Sequence, residues 1–149
     1  MTATVPEGAL TRLAAELRAE QSVISPHVIE PTAPASLGEL AAAGPRRQND
    51  AAAYADIVEC VREGYLLHYG SPRLVVPPDP DRALLAGDYL YAKGLERLAG
   101  IGDQESVGEL SDLIAISAQL HADGRDQGQR AAAAPVSYTH LTLPTTPYV

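Results

Sequence analysis

Between Asp79 and His121 the apolar residues recur every three or four positions, and the pattern is interrupted at Gly100-Ile101-Gly102. That spacing lines them along one side of an α-helix, whereas a half-buried strand would alternate them. Asp79-Pro80 marks a helix start. An aspartate accepts the first unpaired amides, and a proline at the first helical position has no N–H to leave unsatisfied. Leu84, Asp88, Tyr91, Leu95 and Leu98 then fall on one face, with Leu85, Ala92 and Ala99 beside it. Asp103 caps the next helix, which carries Val107, Leu110, Ile114, Ser117 and His121 along one side and ends at Asp123-Gly124. Two helices joined by so short a turn make an antiparallel hairpin.

The same reading applies upstream. A first helix is expected from about Pro6 to Glu20, with Leu10, Leu13 and Leu17 inward. Residues 21–48, broken by Pro26, Pro31 and Pro34, read as a loosely packed, poorly ordered linker. Within it a short helix starts at Ser36 and stops at Gly44-Pro45, and Arg46-Arg47 is solvated. Asn49 or Asp50 caps another helix, whose buried stripe is Tyr54, Ile57, Val58, Val61 and Tyr65, flanked by Cys60. Gly70-Ser71-Pro72 stops it, and Leu74-Val75-Val76 is an extended connector. The chain has no Trp and no Phe, so Leu, Ile, Val and Ala must fill the core, as helix-on-helix packing allows. The expectation is an all-α fold, a truncated helical bundle divided into residues 1–20, 21–48, 49–134 and 135–149.

The formal net charge is -8. An acidic surface repels phosphate backbones and anionic lipid, so no nucleic-acid partner is expected. Lys93 is the one lysine among many arginines, and with abundant Ala, Gly and Pro this suggests a GC-rich, bacterial gene. Cys60 stands alone, so neither an internal disulfide nor a cysteine metal cage can form. The sequence shows no signal peptide at its start and no run long enough to span a membrane, which makes a cytoplasmic location the expectation.

After Ala134 the character changes. The run Val136-Ser137-Tyr138-Thr139-His140-Leu141-Thr142-Leu143-Pro144-Thr145 resembles one reading frame of a transposase sequencing adapter, GTC TCT TAT ACA CAT CTG ACG CTG CCG ACG. Pro135 and the terminal Val149 fit the same frame. On this reading residues 135–149 are an artefactual, disordered tail, and the natural chain continued past about Ala134. Tyr138, His140 and Tyr148 then carry no function.

Asp88 stands on an otherwise apolar helix face, where a carboxylate must be paired, capped or protonated if buried. It reads as a structural acceptor in preference to a ligand or acid in a helical cleft. Gly87 beside it lets another helix come close. His121, on the inner stripe of the last helix, is placed to face Asp88; such a pair suits proton transfer or metal binding. Compensation of the helix dipole is the simpler role. His68 and Tyr69 line a helix end, where packing outweighs a pocket role. Asp79 and Asp81 are clustered carboxylates of the kind Mg²⁺ takes, yet helix capping accounts for both. The sequence contains no Gly-rich phosphate loop, His-Glu-x-x-His or Gly-x-Ser-x-Gly.

The segment Ala83-Leu84-Leu85-Ala86-Gly87-Asp88-Tyr89-Leu90-Tyr91-Ala92 resembles the Gly-Asp helix of trans-polyprenyl diphosphate synthases, and the likeness extends over residues 81–121. The resemblance implies an all-helical fold in which Gly87 and Asp88 are structural. That family holds Mg²⁺ on an allylic diphosphate with two Asp-Asp-x-x-Asp motifs. Nothing upstream of Gly87-Asp88 matches the first, so no catalytic residue and no metal ligand carries over. Mg²⁺ would be a cofactor only if sequence beyond Ala134 supplied such motifs. The resemblance implies a degenerate, non-catalytic relative, an accessory subunit that pairs with a helical synthase or binds a prenyl chain, as a homo- or hetero-oligomer. Two alternatives stand beside it: a fragment of an active polyprenyl transferase, and an unrelated helical adaptor.

Overall fold

The structure, a computed structural model, describes residues 8–34, 36–44 and 50–124. Among the described residues five helices are formed: α1 (Ala9–Ala19), α2 (Ser36–Ala42), α3 (Ala51–Tyr69), α4 (Pro80–Ile101) and α5 (Gln104–Ala122). A 3-10 turn spans Ser25–His27. The fold is all-α. Among the described residues, β-structure is limited to one isolated antiparallel bridge between Val28 and Val75.

Helix α3 is the axis, with α1, α2 and α4 packed on it. Helix α4 runs back along α3, because Gly87 lies against Gly64 and Gly94 against Val61. Helix α5 runs in the direction of α3. At one end Tyr54 Oη donates to Asp103 Oδ2 at 2.7 Å, and at the other Tyr65 Oη and His121 Nε2 are 3.1 Å apart. Two of the predicted caps form: Asp79 Oδ1 accepts from Arg82 N at 2.8 Å, and Asp103 Oδ1 from Ser106 N at 3.0 Å, whereas Asp50 stands at the start of α3 without a side-chain capping bond and Asn49 lies outside the described residues. Gly102 turns the chain between α4 and α5 at φ +85°, a conformation that glycine adopts without a side-chain clash.

Small residues set how closely α3 and α4 approach. A Cβ on Gly64 would stand 2.9 Å from the Gly87 carbonyl oxygen, and one on Gly94 would stand 2.5 Å from Val61 Cγ2. Both glycines lie inside helices, where each is disfavoured by roughly 1 kcal/mol relative to alanine. The contact they allow turns α4 so that Ala86, Leu90, Tyr91 and Leu98 are buried. Leu84 and Asp88, expected on that buried face, are exposed instead. A residue small enough to be buried by close approach carries little hydrophobic signal, so periodicity alone misplaces the face.

One side of the core joins Leu10, Leu13 and Leu17 of α1 to Leu74, Val75 and Leu90. The other joins Tyr54, Ile57 and Val61 of α3 to Leu98 and Leu110. The stretch expected to pack loosely contributes to both, since Ile24, Ala41 and Ala42 are buried. The connector Leu74-Val75-Val76 is tied to it by backbone bonds, Ile29 N to Leu74 O at 2.7 Å and Val76 N to His27 O at 2.9 Å. Pro6, Arg46-Arg47 and the adapter-like residues 136–149 lie outside the described residues.

Candidate functional site

The turn Ser25–His27 and the first half of α4 enclose a groove of about 800 Å³. That is within the ~300–1,000 Å³ usual for small-molecule sites. Its lining is mostly apolar: Val23, Ile24, Pro77, Leu85, Ala86 and Tyr89. Val23 is 89% exposed and Leu85 68% exposed, so large aliphatic groups face the opening without cover. Ser22, His27 and Arg82 supply the polar part of the lining.

An ion-pair seam holds the two sides in place. Lys93 of α4 reaches Glu16 of α1 at 2.8 Å and also pairs with Glu20, while Arg97 pairs with Glu16. Tyr89 Oη donates to Glu20 Oε2 at 2.5 Å, which fixes the ring that forms one wall. Burial alone would lower the Lys93 ammonium, but hydrogen bonds to Glu16 and Glu20 outweigh it and raise its pKa to about 12. At Glu16 burial is outweighed by the bonds from Arg97 and then Lys93, which hold that carboxyl below its usual range. On the other side, Ser25 Oγ donates to Leu17 O at 2.6 Å and accepts from Ser22 N at 2.9 Å, tying the turn to the end of α1.

The residues singled out from the sequence lie elsewhere. Gly87 is buried at the α3–α4 contact, where an added Cβ would run into the His68 ring. Asp88 does not meet His121. It is exposed, with Oδ1 3.2 Å from His68 Nε2, so it is a surface partner and not a buried acceptor. His121 stacks on Tyr69 with ring centroids 3.8 Å apart and meets the Tyr65 hydroxyl. These contacts fasten the end of α5 to the end of α3. His68 also packs edge-on against Tyr91. Burial first, and then the nearby Tyr69, Tyr65 and Asp88, push the Tyr91 hydroxyl well above its usual range. Asp79 is a helix cap, as the sequence suggests. Among the described residues no three His, Cys, Asp or Glu side chains group as a metal site, and no helix is long and apolar enough to cross a membrane.

A buried charged cluster escaped the sequence reading. Glu59 and Glu63 of α3 are completely buried. Glu59 Oε1 accepts from Gly38 N of α2 at 2.7 Å, and its Oε2 from Arg73 Nη1 at 2.7 Å. Glu63 Oε1 accepts the amides of Arg73, Leu74 and Val75 at 2.8, 2.7 and 3.2 Å. The cluster anchors α2 and the 73–75 connector to α3, which makes it structural. The available signal was two glutamates four apart on either side of a buried cysteine, with an arginine ten residues on.

Cys60, fully buried between those glutamates, donates from Sγ to Leu90 O at 3.3 Å. Burial raises its pKa from 9.0 to about 12, so it is no nucleophile near neutral pH. The folded state therefore keeps a proton that the unfolded chain loses above 9. The thiol's contribution to stability is complete below pH 9 and is lost as pH rises through about 12. Lys93, raised from 10.5 to about 12, adds a contribution of the same sign. Urea-unfolding midpoints are accordingly expected to fall from pH 9 upward, with native Cys60 inert to a thiol reagent until the chain unfolds. Fast labelling of the folded protein, or a flat profile above pH 9, would contradict this assignment.

Compared with known proteins, the chain matches no family model, no curated protein and no solved structure.

Proposed function

We propose that this protein is a non-catalytic, isoprenyl-synthase-like helical protein that holds an elongated apolar ligand, such as a prenyl chain, in the groove between Ser25–His27 and α4. The observation that carries the reading is the groove itself: about 800 Å³ of space lined mostly by aliphatic and aromatic side chains. Of the two residues that the resemblance makes structural, Gly87 packs against the neighbouring helix and Asp88 is exposed, so the isoprenoid part of the proposal rests on the resemblance of residues 81–121. In this reading the protein presents its ligand to a catalytic partner, as an accessory subunit of polyprenyl diphosphate synthesis. Copurification with an aspartate-rich synthase would separate that role from an unrelated adaptor's.

Titration calorimetry of the full chain with the neutral prenyl alcohol farnesol tests the groove. Saturable binding at one site is expected, with at least a tenfold loss on Leu85→Asp, since burying an unpaired carboxylate against an alkyl chain is strongly unfavourable. Leu85 is largely exposed, so the substitution should leave the fold intact. Absence of saturable binding, or unchanged affinity in a folded Leu85→Asp chain, rules the groove out.

A further inference from the structure

We infer that the groove binds only the hydrocarbon of its ligand and leaves the head group outside, in water, where a partner can reach it. The inference rests on the groove being the ligand site. It concerns which part of the ligand is recognised and how the ligand is oriented.

The engagement of the polar side chains is the first reason. Arg82 pairs with Asp79, its Nε 3.4 Å from Oδ2, and Asp81 precedes it in the first turn of α4. The Tyr89 hydroxyl donates to Glu20, and Ser22 Oγ stands 3.3 Å from Ser25 Oγ. Lys93, whose ammonium lies 5.7 Å from the centre of the Tyr89 ring, is held by Glu16 and Glu20. Of the polar lining the His27 imidazole remains, and one imidazole, neutral or singly charged, cannot neutralise a diphosphate.

The cost of enclosing a charge is the second reason. A charged head drawn in among Val23, Leu85 and Tyr89 would lose its hydration without gaining a counter-charge, which is strongly unfavourable. A diphosphate can also be held by a divalent cation on clustered carboxylates. Among the described residues no three His, Cys, Asp or Glu side chains group to provide such a site. A head left in water avoids the cost altogether.

The third reason is that the groove stays open beside its large apolar side chains, with Val23 89% and Leu85 68% exposed. A chain can lie against them while its end projects into solvent. The formal net charge of -8 repels a projecting anion only weakly, because physiological salt screens exposed charges over about 8 Å. Affinity is therefore set by the length of hydrocarbon buried. This orientation suits a protein that presents its ligand to a catalytic partner, since the reactive end need not be released first.

The test is titration calorimetry of the full chain with two series, each below its micelle concentration: geraniol and farnesol, then geranyl diphosphate and farnesyl diphosphate. One further isoprene unit is expected to tighten binding at least about tenfold in both series, because each buried methylene contributes. At physiological salt the alcohol and the diphosphate of equal length should agree within about threefold, since the head stays in water in both. The phosphorus NMR signals of bound farnesyl diphosphate should keep the positions they have in free solution. A larger gap between alcohol and diphosphate in either direction, or shifted phosphorus signals, overturns the orientation and leaves the groove reading standing. No saturable binding of farnesol, or farnesol binding no tighter than geraniol, overturns both.

Discussion

Replacing Glu63 with alanine is expected to remove about 3–5 kcal/mol of stability, the usual cost of breaking a buried charged cluster by deleting one partner. The carboxylate is completely buried, and one of its oxygens serves three successive backbone amides. Leu74 and Val75 are themselves fully buried, so water cannot replace the lost acceptor without opening the core. Arg73, only 12% exposed, would keep a single partner in Glu59. A domain of this size is typically stable by ~5–15 kcal/mol, so the loss would consume much of what is present. Urea denaturation read by circular dichroism measures it. Glu63→Gln, which keeps an acceptor but removes the charge, should lose less. A loss below about 1 kcal/mol for Glu63→Ala would mean that the connector readily rehydrates and is not anchored by this residue.

The second large effect is expected at the α3–α4 contact. Gly87→Ala places a methyl group against the His68 ring and 2.9 Å from the Gly64 carbonyl oxygen. Overpacking of this kind costs about 1–3 kcal/mol, against the gain that alanine ordinarily brings to a helix interior. The sign therefore separates the two effects: propensity alone predicts a stabler protein, close packing a less stable one. Adding His68→Ala should recover part of the loss and no more, because the backbone clash with Gly64 remains. A rise in melting temperature for Gly87→Ala would show that the helices sit further apart than described. Gly100, with open space around it, is the control: Gly100→Ala should be neutral or stabilising.

Much of the fold was legible in local chemistry. Asp79-Pro80 and Asp103 began helices where their side chains cap amides, and Gly70, Gly102 and Gly124 marked helix ends. Leu10, Leu13 and Leu17 pointed inward at the spacing read from the sequence. The site was far less legible. Asp88 drew notice for its apolar neighbours, yet it is exposed, whereas Glu59 and Glu63 drew none and are fully buried. A carboxylate is buried only when amides and a guanidinium from distant segments arrive to satisfy it, and no local pattern records that arrival. The groove likewise joins residues from Ser22 to Tyr89, which are brought together by core packing, the backbone bonds of His27 and Ile29 to the 74–76 connector, and the pairing of α1 with Lys93 and Arg97.

The sequence alone determined where helices start and stop and that they must pack on one another, because caps, breaks and apolar spacing act within a few residues along the chain. Only the tertiary structure decided which face of α4 is buried, which acids are internal and where an open apolar groove remains. The first of these depends on how closely Gly64, Gly87 and Gly94 let two helices approach. Close packing is a property of the pair and is written in neither helix by itself.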